Sequence, residues 1–227
     1  MEFRELAIYL ERLEKTASRL EITRILTELF KKADTGEIDK VVYLSLGILA
    51  PNYEGVLLNL AEKMMLRTLA KAYQKEVSEV LGLFKKMGDI GSVAQELSKV
   101  SKTSAENLSV TDVYEKLLQV AKDSGEGSQE GKIIKMADLL GSLDPLSARF
   151  VARIPVGRLR LGFSEKTVID ALAGHDTKLK KEIEEAYNIR PDIGFIARLV
   201  KEGNLKAAKP EVGVPVVPML AARLNST

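Results

Sequence analysis

Ser18-Arg19-Leu20-Glu21-Ile22-Thr23-Arg24-Ile25-Leu26-Thr27-Glu28-Leu29-Phe30-Lys31-Lys32 decides the fold class. Leu20, Ile22, Ile25, Leu26, Leu29 and Phe30 recur at the three- and four-residue intervals of a helix face. Ser18 stands where a side-chain oxygen caps a first turn. Lys31 and Lys32 fall where cations meet the negative end of the helix dipole, and Gly36 ends the helix. The same grammar runs outward in both directions. Leu6, Ala7, Leu10 and Leu13 mark a helix between Phe3 and Leu13, and a more buried helix is predicted from Asp39 to Leu49, stopped by Pro51. Further helices are predicted at 61–74, 76–87, 92–100, 111–123, 129–142, 145–154, 164–173, 176–188 and 192–202. No sustained two-residue alternation occurs before residue 212, and no 30–45-residue repeat argues a solenoid. The predicted fold is all-α: about a dozen short helices in one compact domain, with an extended C-terminal linker.

The boundary falls near residue 205, giving a helical domain over 1–205 and a proline-containing segment over 206–227. Three of the seven prolines, Pro210, Pro215 and Pro218, lie in nine residues there. The apolar run Val212 to Ala222 has no helical face. It reads as the approach to a further domain, or as a tail that folds back on the helices. The 227 residues are 45% hydrophobic and 29% charged, a soluble globular composition. The absence of Cys excludes disulfides, thiolate metal sites and cysteine nucleophiles, and one His excludes a His-rich metal centre. No apolar run reaches the length of a membrane span, and the charged N-terminus lacks a signal-peptide core, so a cytoplasmic protein is expected. Twenty-two Lys and 22 Glu, with neither Cys nor Trp, suit a thermophile. The net charge of +2 points to no partner, so position must carry any nucleic-acid reading.

Two apparent nucleotide motifs fail. In Gly125-Glu126-Gly127-Ser128-Gln129-Glu130-Gly131-Lys132, Glu126 stands where a phosphate loop needs Gly, and Ile133 where it needs Ser or Thr. This is better read as a loop leading into a helix, with Ser128 near the cap. Lys32-Ala33-Asp34-Thr35 has Thr where the Lys-x-Asp-Gly signature of nucleotidyltransferases has Gly. His175 reads as a helix end, the run Lys178 to Glu185 as a solvated helix face, and Met64, Met65, Met87 and Met136 as core. No paired carboxylates, activated serine or metal cluster emerges, so no catalytic residue or cofactor is expected in this chain.

The exceptional stretch is Leu146 to Ser164. It holds four of the twelve arginines and no acid. Arg149 and Arg153 are four apart and share a helix face. Gly157-Arg158-Leu159-Arg160-Leu161-Gly162 follows as a loop ahead of the next helix. Glycines let a backbone approach phosphate, Arg forks match phosphate oxygens, and a helix N-terminus adds oriented N–H groups. The plain alternative is a surface helix whose arginines pair with acids on a neighbour.

Ala148-Arg149-Phe150-Val151-Ala152-Arg153 and Gly157-Arg158-Leu159-Arg160-Leu161-Gly162-Phe163-Ser164-Glu165 closely resemble the N-terminal DNA-binding domain of archaeal and eukaryotic ATP-dependent DNA ligases. Ala17-Ser18-Arg19-Leu20 is similar to that domain's first interhelical turn. Gly88-Asp89-Ile90-Gly91 is similar to its central turn, and Ser124 to Gln129 to its next loop. Gly213-Val214-Pro215-Val216-Val217-Pro218-Met219-Leu220-Ala221 resembles the segment that leads into the adenylation domain. The matches run in order from residue 17 to 221. The resemblance implies a fragment of an enzyme that seals nicked duplex DNA in replication, repair and recombination. In that enzyme an adenylation-domain lysine takes AMP from ATP with magnesium and passes it to the 5′-phosphate. The 3′-hydroxyl then displaces AMP. An oligonucleotide-binding domain completes the protein.

This chain would then be inactive alone and grip the duplex without sequence preference, across the minor groove. Gly157, Arg158, Arg160 and Gly162 form the central candidate loop, with Arg149 and Arg153 beneath it. Arg19, Gly127, Ser128 and Lys132 are further candidate phosphate contacts on other turns. Some relatives bind the sliding clamp through a glutamine-led motif with paired aromatics. Ser101 to Leu108 has no such pair, so binding of the sliding clamp by this route is not expected. Two alternatives stay open: a helical scaffold for protein partners with a basic patch, and a complete enzyme of unrecognised type.

Overall fold

A computed structural model describes residues 1–101, 105–125, 127–159 and 161–218. Twelve α-helices occur among them: α1 (Phe3–Glu14), α2 (Arg19–Lys32), α3 (Ile38–Leu46), α4 (Glu62–Ala72), α5 (Val77–Met87), α6 (Ile90–Lys99), α7 (Val110–Lys122), α8 (Ser128–Ser142), α9 (Pro145–Arg153), α10 (Glu165–Ala173), α11 (Thr177–Ile189) and α12 (Ile193–Glu202). The described residues contain no strand, only an isolated bridge between Glu2 and Ser109. All-α is the observed class.

Local chemistry sets the boundaries. Ser18 caps α2 by accepting from the Glu21 N–H. Ser109 and Asp112 form a reciprocal capping box on α7. Asp144 caps α9, with Pro145 supplying a preset φ in the first turn. Four details differ from the sequence reading. α2 ends at Lys32, before Gly36, because Ala33 is already extended. α3 ends at Leu46 because Gly47 turns left-handed, well before Pro51. Leu20, assigned to the apolar face, is 85% exposed, since it lies in the first turn where the α2 stripe has not yet met the core. Met65 and Met136 are fully buried, but Met87, at the last turn of α5, is exposed.

One continuous hydrophobic core joins the helices. α3 lies on α12, α4 on α8 and α10 on α2, while α6 and α9 make the closest pairing. Gly91 permits that approach: a Cβ there would come 2.5 Å from the Arg149 carbonyl oxygen and 2.5 Å from Arg153 Nε. After α12 a short 3₁₀ turn, Leu205–Ala207, leads into extended chain. That chain lies against α11: Arg190 pairs with Glu211 at 2.6 Å, and the Val217 N–H donates to the Asn188 carbonyl at 2.9 Å. The described part of the tail therefore touches its own helices. Met219 to Thr227 lies outside the described residues.

Candidate nucleic-acid interface

The α9–α10 connection is built by its glycines and leucines. The Gly157 N–H donates to the Ile154 carbonyl and the Arg158 N–H to the Arg153 carbonyl, closing α9 with a reversal of the chain. Gly157 and Gly162 have φ of +62° and +72°, and a Cβ on either would meet nothing within 4 Å. Their role is conformational, and each leaves bare backbone facing open space. Between them Leu159 and Leu161 are buried and anchor the loop to the core. Leu159 seats against Gly47, where a Cβ would come 2.6 Å from its Cδ1. Arg158 lies on the outer side, half exposed, with Nη1 3.0 Å from Glu62 Oε2. Arg160 lies outside the described residues. Ser164, which precedes α10, makes no side-chain cap, so the leading N–H groups of α10 have no partner from that side chain.

Arg149 and Arg153 do not belong to this exposed surface. Arg153 is only 6% exposed. Its Nη2 donates to Asp89 Oδ2 at 2.7 Å and its Nη1 to Glu14 Oε1 at 2.9 Å. Arg149 donates to Glu14 Oε2 at 2.7 Å and lies 3.9 Å from Glu11. Both guanidinium groups face acids of this chain, and Arg149 keeps a fifth of its side chain exposed. Acids on α1 and before α6 pair with both, the plain alternative raised above, although Arg149 Nε is buried without a partner. The two arginines position three turns relative to one another, because Glu14 ends α1, Asp89 caps α6 and the Arg153 carbonyl holds Arg158.

Asp89 accepts from Ser92 as well as Arg153. Burial alone pushes its carboxyl up, but the hydrogen bonds from Arg153 and Ser92 overcome this and hold it at about 2, below its ordinary 3.8. A depressed carboxyl stabilises the fold above its unfolded pKa, and that contribution is lost as pH falls through the folded value. Asp89→Asn is therefore expected to destabilise by about 2 kcal/mol near pH 6. Urea titrations of parent and variant should converge between about pH 4 and pH 2. A gap that persists below pH 2 would mean that the carboxylate charge is not its source.

The remaining candidates divide. Arg19 is exposed at the start of α2 and pairs with Asp170 on α10 at 3.0 Å. Gly127 has φ +78° and is itself the residue that caps α8, so Ser128 opens the first turn instead of capping it. Lys132 is buried, and its Nζ donates to the Leu58 carbonyl at 3.0 Å. The first turn of α8 carries it inward beneath the chain before α4. Gly47, Glu62, Glu14 and Asp89 were not singled out from sequence. Only Asp89 gave a signal, as part of the Gly-Asp-Ile-Gly turn. Lys102, Thr103 and Ser104 in the clamp-motif stretch lie outside the described residues.

Among the described residues no group of three or more His, Asp or Glu could hold a metal, and no helix is long and apolar enough to cross a membrane. The family model described as DNA ligase N terminus matches residues 2–173, which include α1 to α10 and the loop. A DNA ligase of Pyrobaculum islandicum is 43% identical over all of this chain and 40% of its own length. DNA ligase 2 of Thermofilum pendens is 44% identical over 97% of this chain and 39% of its own length. A DNA ligase of Sulfolobus acidocaldarius is 41% identical over 99% and 40%. The chain thus spans about two fifths of the length of these relatives. With most of its residues inside the family match, this chain belongs to the DNA ligase N-terminal domain family.

Proposed function

We propose that this chain grips duplex DNA without sequence preference, as the N-terminal domain of an ATP-dependent DNA ligase that seals nicks. The observation that carries the reading is the Gly157–Gly162 loop. It is anchored from within by two buried leucines and opens bare backbone and Arg158 to solvent just ahead of the α10 N-terminus. Glycine backbone open to close approach, an Arg fork and a helix N-terminus all favour phosphate oxygens, and none reads base identity. A nick occurs in any sequence, so contacts of this kind suit the task. Arg19, Gly127 and Ser128 lie on further turns that can extend the grip along a duplex.

The chain's own residues do not fit the nucleotide. Lys32, in its near-match to the adenylation signature, pairs with Glu5 at 2.6 Å, and Lys132 in the near phosphate loop is buried on a carbonyl. ATP, magnesium and the adenylated lysine are therefore assigned to the rest of the parent enzyme, with nicked duplex as its substrate. With labelled ATP and magnesium this chain is expected to form no covalent AMP adduct. A boiling-resistant labelled band on a denaturing gel would overturn the division of labour.

Binding is tested by fluorescence anisotropy on duplexes of unrelated sequence across a salt series. With about four to six phosphates engaged, log K should fall with log salt at a slope of roughly −3.6 to −5.4. Affinity should be equal across sequences. A slope near zero would favour the protein-scaffold alternative.

A further inference from the structure

A cleft of about 710 Å³ opens beside the Arg-rich loop. One wall is Ile154 to Arg158, and the other is the chain from Gly47 to Pro51 together with Gly55 to Glu62. The second wall is an irregular segment, turned at Asn59 (φ +52°), along which Leu58 and Leu60 are buried while Leu57, Asn59 and Ala61 face outward. Leu57 is 64% exposed. An isolated exposed leucine is ordinary on a mobile surface, but this one is held in place. Leu58 and Leu60 pin the segment from within, and the buried Lys132 ammonium fixes the Leu58 carbonyl at 3.0 Å. Glu62 ties the end of the segment to Arg158 across the cleft. That ion pair is the only charge in the cleft lining, and Asn52 and Asn59 are its only other polar side chains.

We infer that Gly55–Ala61 is a second DNA-contacting wall, in which Leu57 makes an apolar contact with deoxyribose beside the phosphate held by Arg158. The inference rests on the duplex-binding reading above. A sugar–phosphate strand is amphipathic: its phosphates suit Arg158 and the bare glycine backbone, and its sugar faces suit an uncharged lining with an exposed leucine. Gly157 and Arg158 line this cleft and also belong to the Arg-rich loop, so the two surfaces are continuous. Lys132 is then a positioning residue, acting on DNA through the segment it holds.

Salt dependence separates this contact from a charged one, because an apolar contact releases no counterion. The test is an anisotropy titration of the 227-residue chain, with Leu57→Ser and Leu57→Met, on one duplex at several salt concentrations. Leu57→Ser is expected to weaken binding by about three- to tenfold at every salt concentration, the loss expected from part of a leucine's apolar contact. The slope should match the parent's, and Leu57→Met should bind like the parent. A Leu57→Ser protein with parental affinity would overturn the second wall while leaving the duplex reading intact. That outcome, with a defect confined to ligation by the longer enzyme, would assign Leu57 to contact with another part of that protein. A reduced slope for Leu57→Ser would overturn an apolar contact. A parent chain that fails to bind duplex would overturn both readings together.

Discussion

Replacing Arg153 by alanine is expected to lower stability by about 3–5 kcal/mol, the range for removing one partner of a buried ion pair. Asp89 and Glu14, each about a quarter exposed, would remain without their cation. Partial access to water puts the expectation toward the lower end. For a chain of this size that corresponds to a fall in Tm of roughly 6–12 °C. Arg153→Lys should recover little, because one ammonium cannot reproduce Nε and Nη2 on Asp89 together with Nη1 on Glu14. Thermal unfolding followed by circular dichroism checks the result. It also decides between two roles for the side chain. A DNA-facing arginine would leave Tm nearly unchanged on truncation and flatten the salt slope of binding by about one unit. A stable Arg153→Ala protein with that binding defect would return Arg153 to the interface.

Gly91 makes a related point about the same contact. The atoms that a Cβ would meet at 2.5 Å are a backbone carbonyl and the Arg153 guanidinium, which the ion pairs hold in place. Neither can move aside without disturbing α9. Gly91→Ala should therefore destabilise although alanine favours helix more than glycine does. Chemical denaturation of the single variant, and of its combination with Arg153→Ala, should show strong non-additivity, since the two residues touch.

The helices were legible because the apolar stripes of α1, α2 and α7 repeat at helical intervals and caps such as Ser18 announce their starts. The ends read less well. Gly47 stops α3 by its own conformation, while Pro51 only drew attention further along. The loop glycines Gly157 and Gly162 were also legible, since a left-handed turn leaves glycine as the favoured residue. The partners of the arginines were not. No acid lies between Leu146 and Ser164, and the counter-charges of Arg149 and Arg153, Glu14 and Asp89, lie 135 and 64 residues away. One-dimensional spacing shows that two arginines share a face but not whether that face meets water or another helix. The partner of Lys132 was hidden for the same reason. The lysine's position on a glycine-led helix start suggested phosphate, yet only the fold shows that the Leu58 carbonyl lies within reach.

Replacing Arg158 and Arg160 together by alanine is expected to weaken duplex binding about 100-fold or more at moderate salt. Each charged hydrogen bond contributes about 1.5–3 kcal/mol, and tenfold in affinity is about 1.4 kcal/mol. Arg158 must leave Glu62 to meet a phosphate, which lowers its net gain toward the small end of that range. Its removal has a second consequence, since Glu62 then faces the strand with no cation beside it. The salt slope should become shallower by about 1.8, at about 0.9 per phosphate. The loss should be equal on duplexes of different sequence, and Tm should stay close to the parent's, because an exposed ion pair contributes at most about 1 kcal/mol. Gly162→Val tests the backbone half of the same grip. Its φ of +72° is strained for a β-branched residue, so binding should fall with a modest loss of stability. Lys178→Ala serves as the control, being largely exposed on α11 with Glu182 4.0 Å away. It is cleaner than Lys180, which shares Asp170 with Arg19. If the double variant binds like the parent while Lys178→Ala does not, the DNA lies on the α11 side of the molecule and not over the Arg-rich loop.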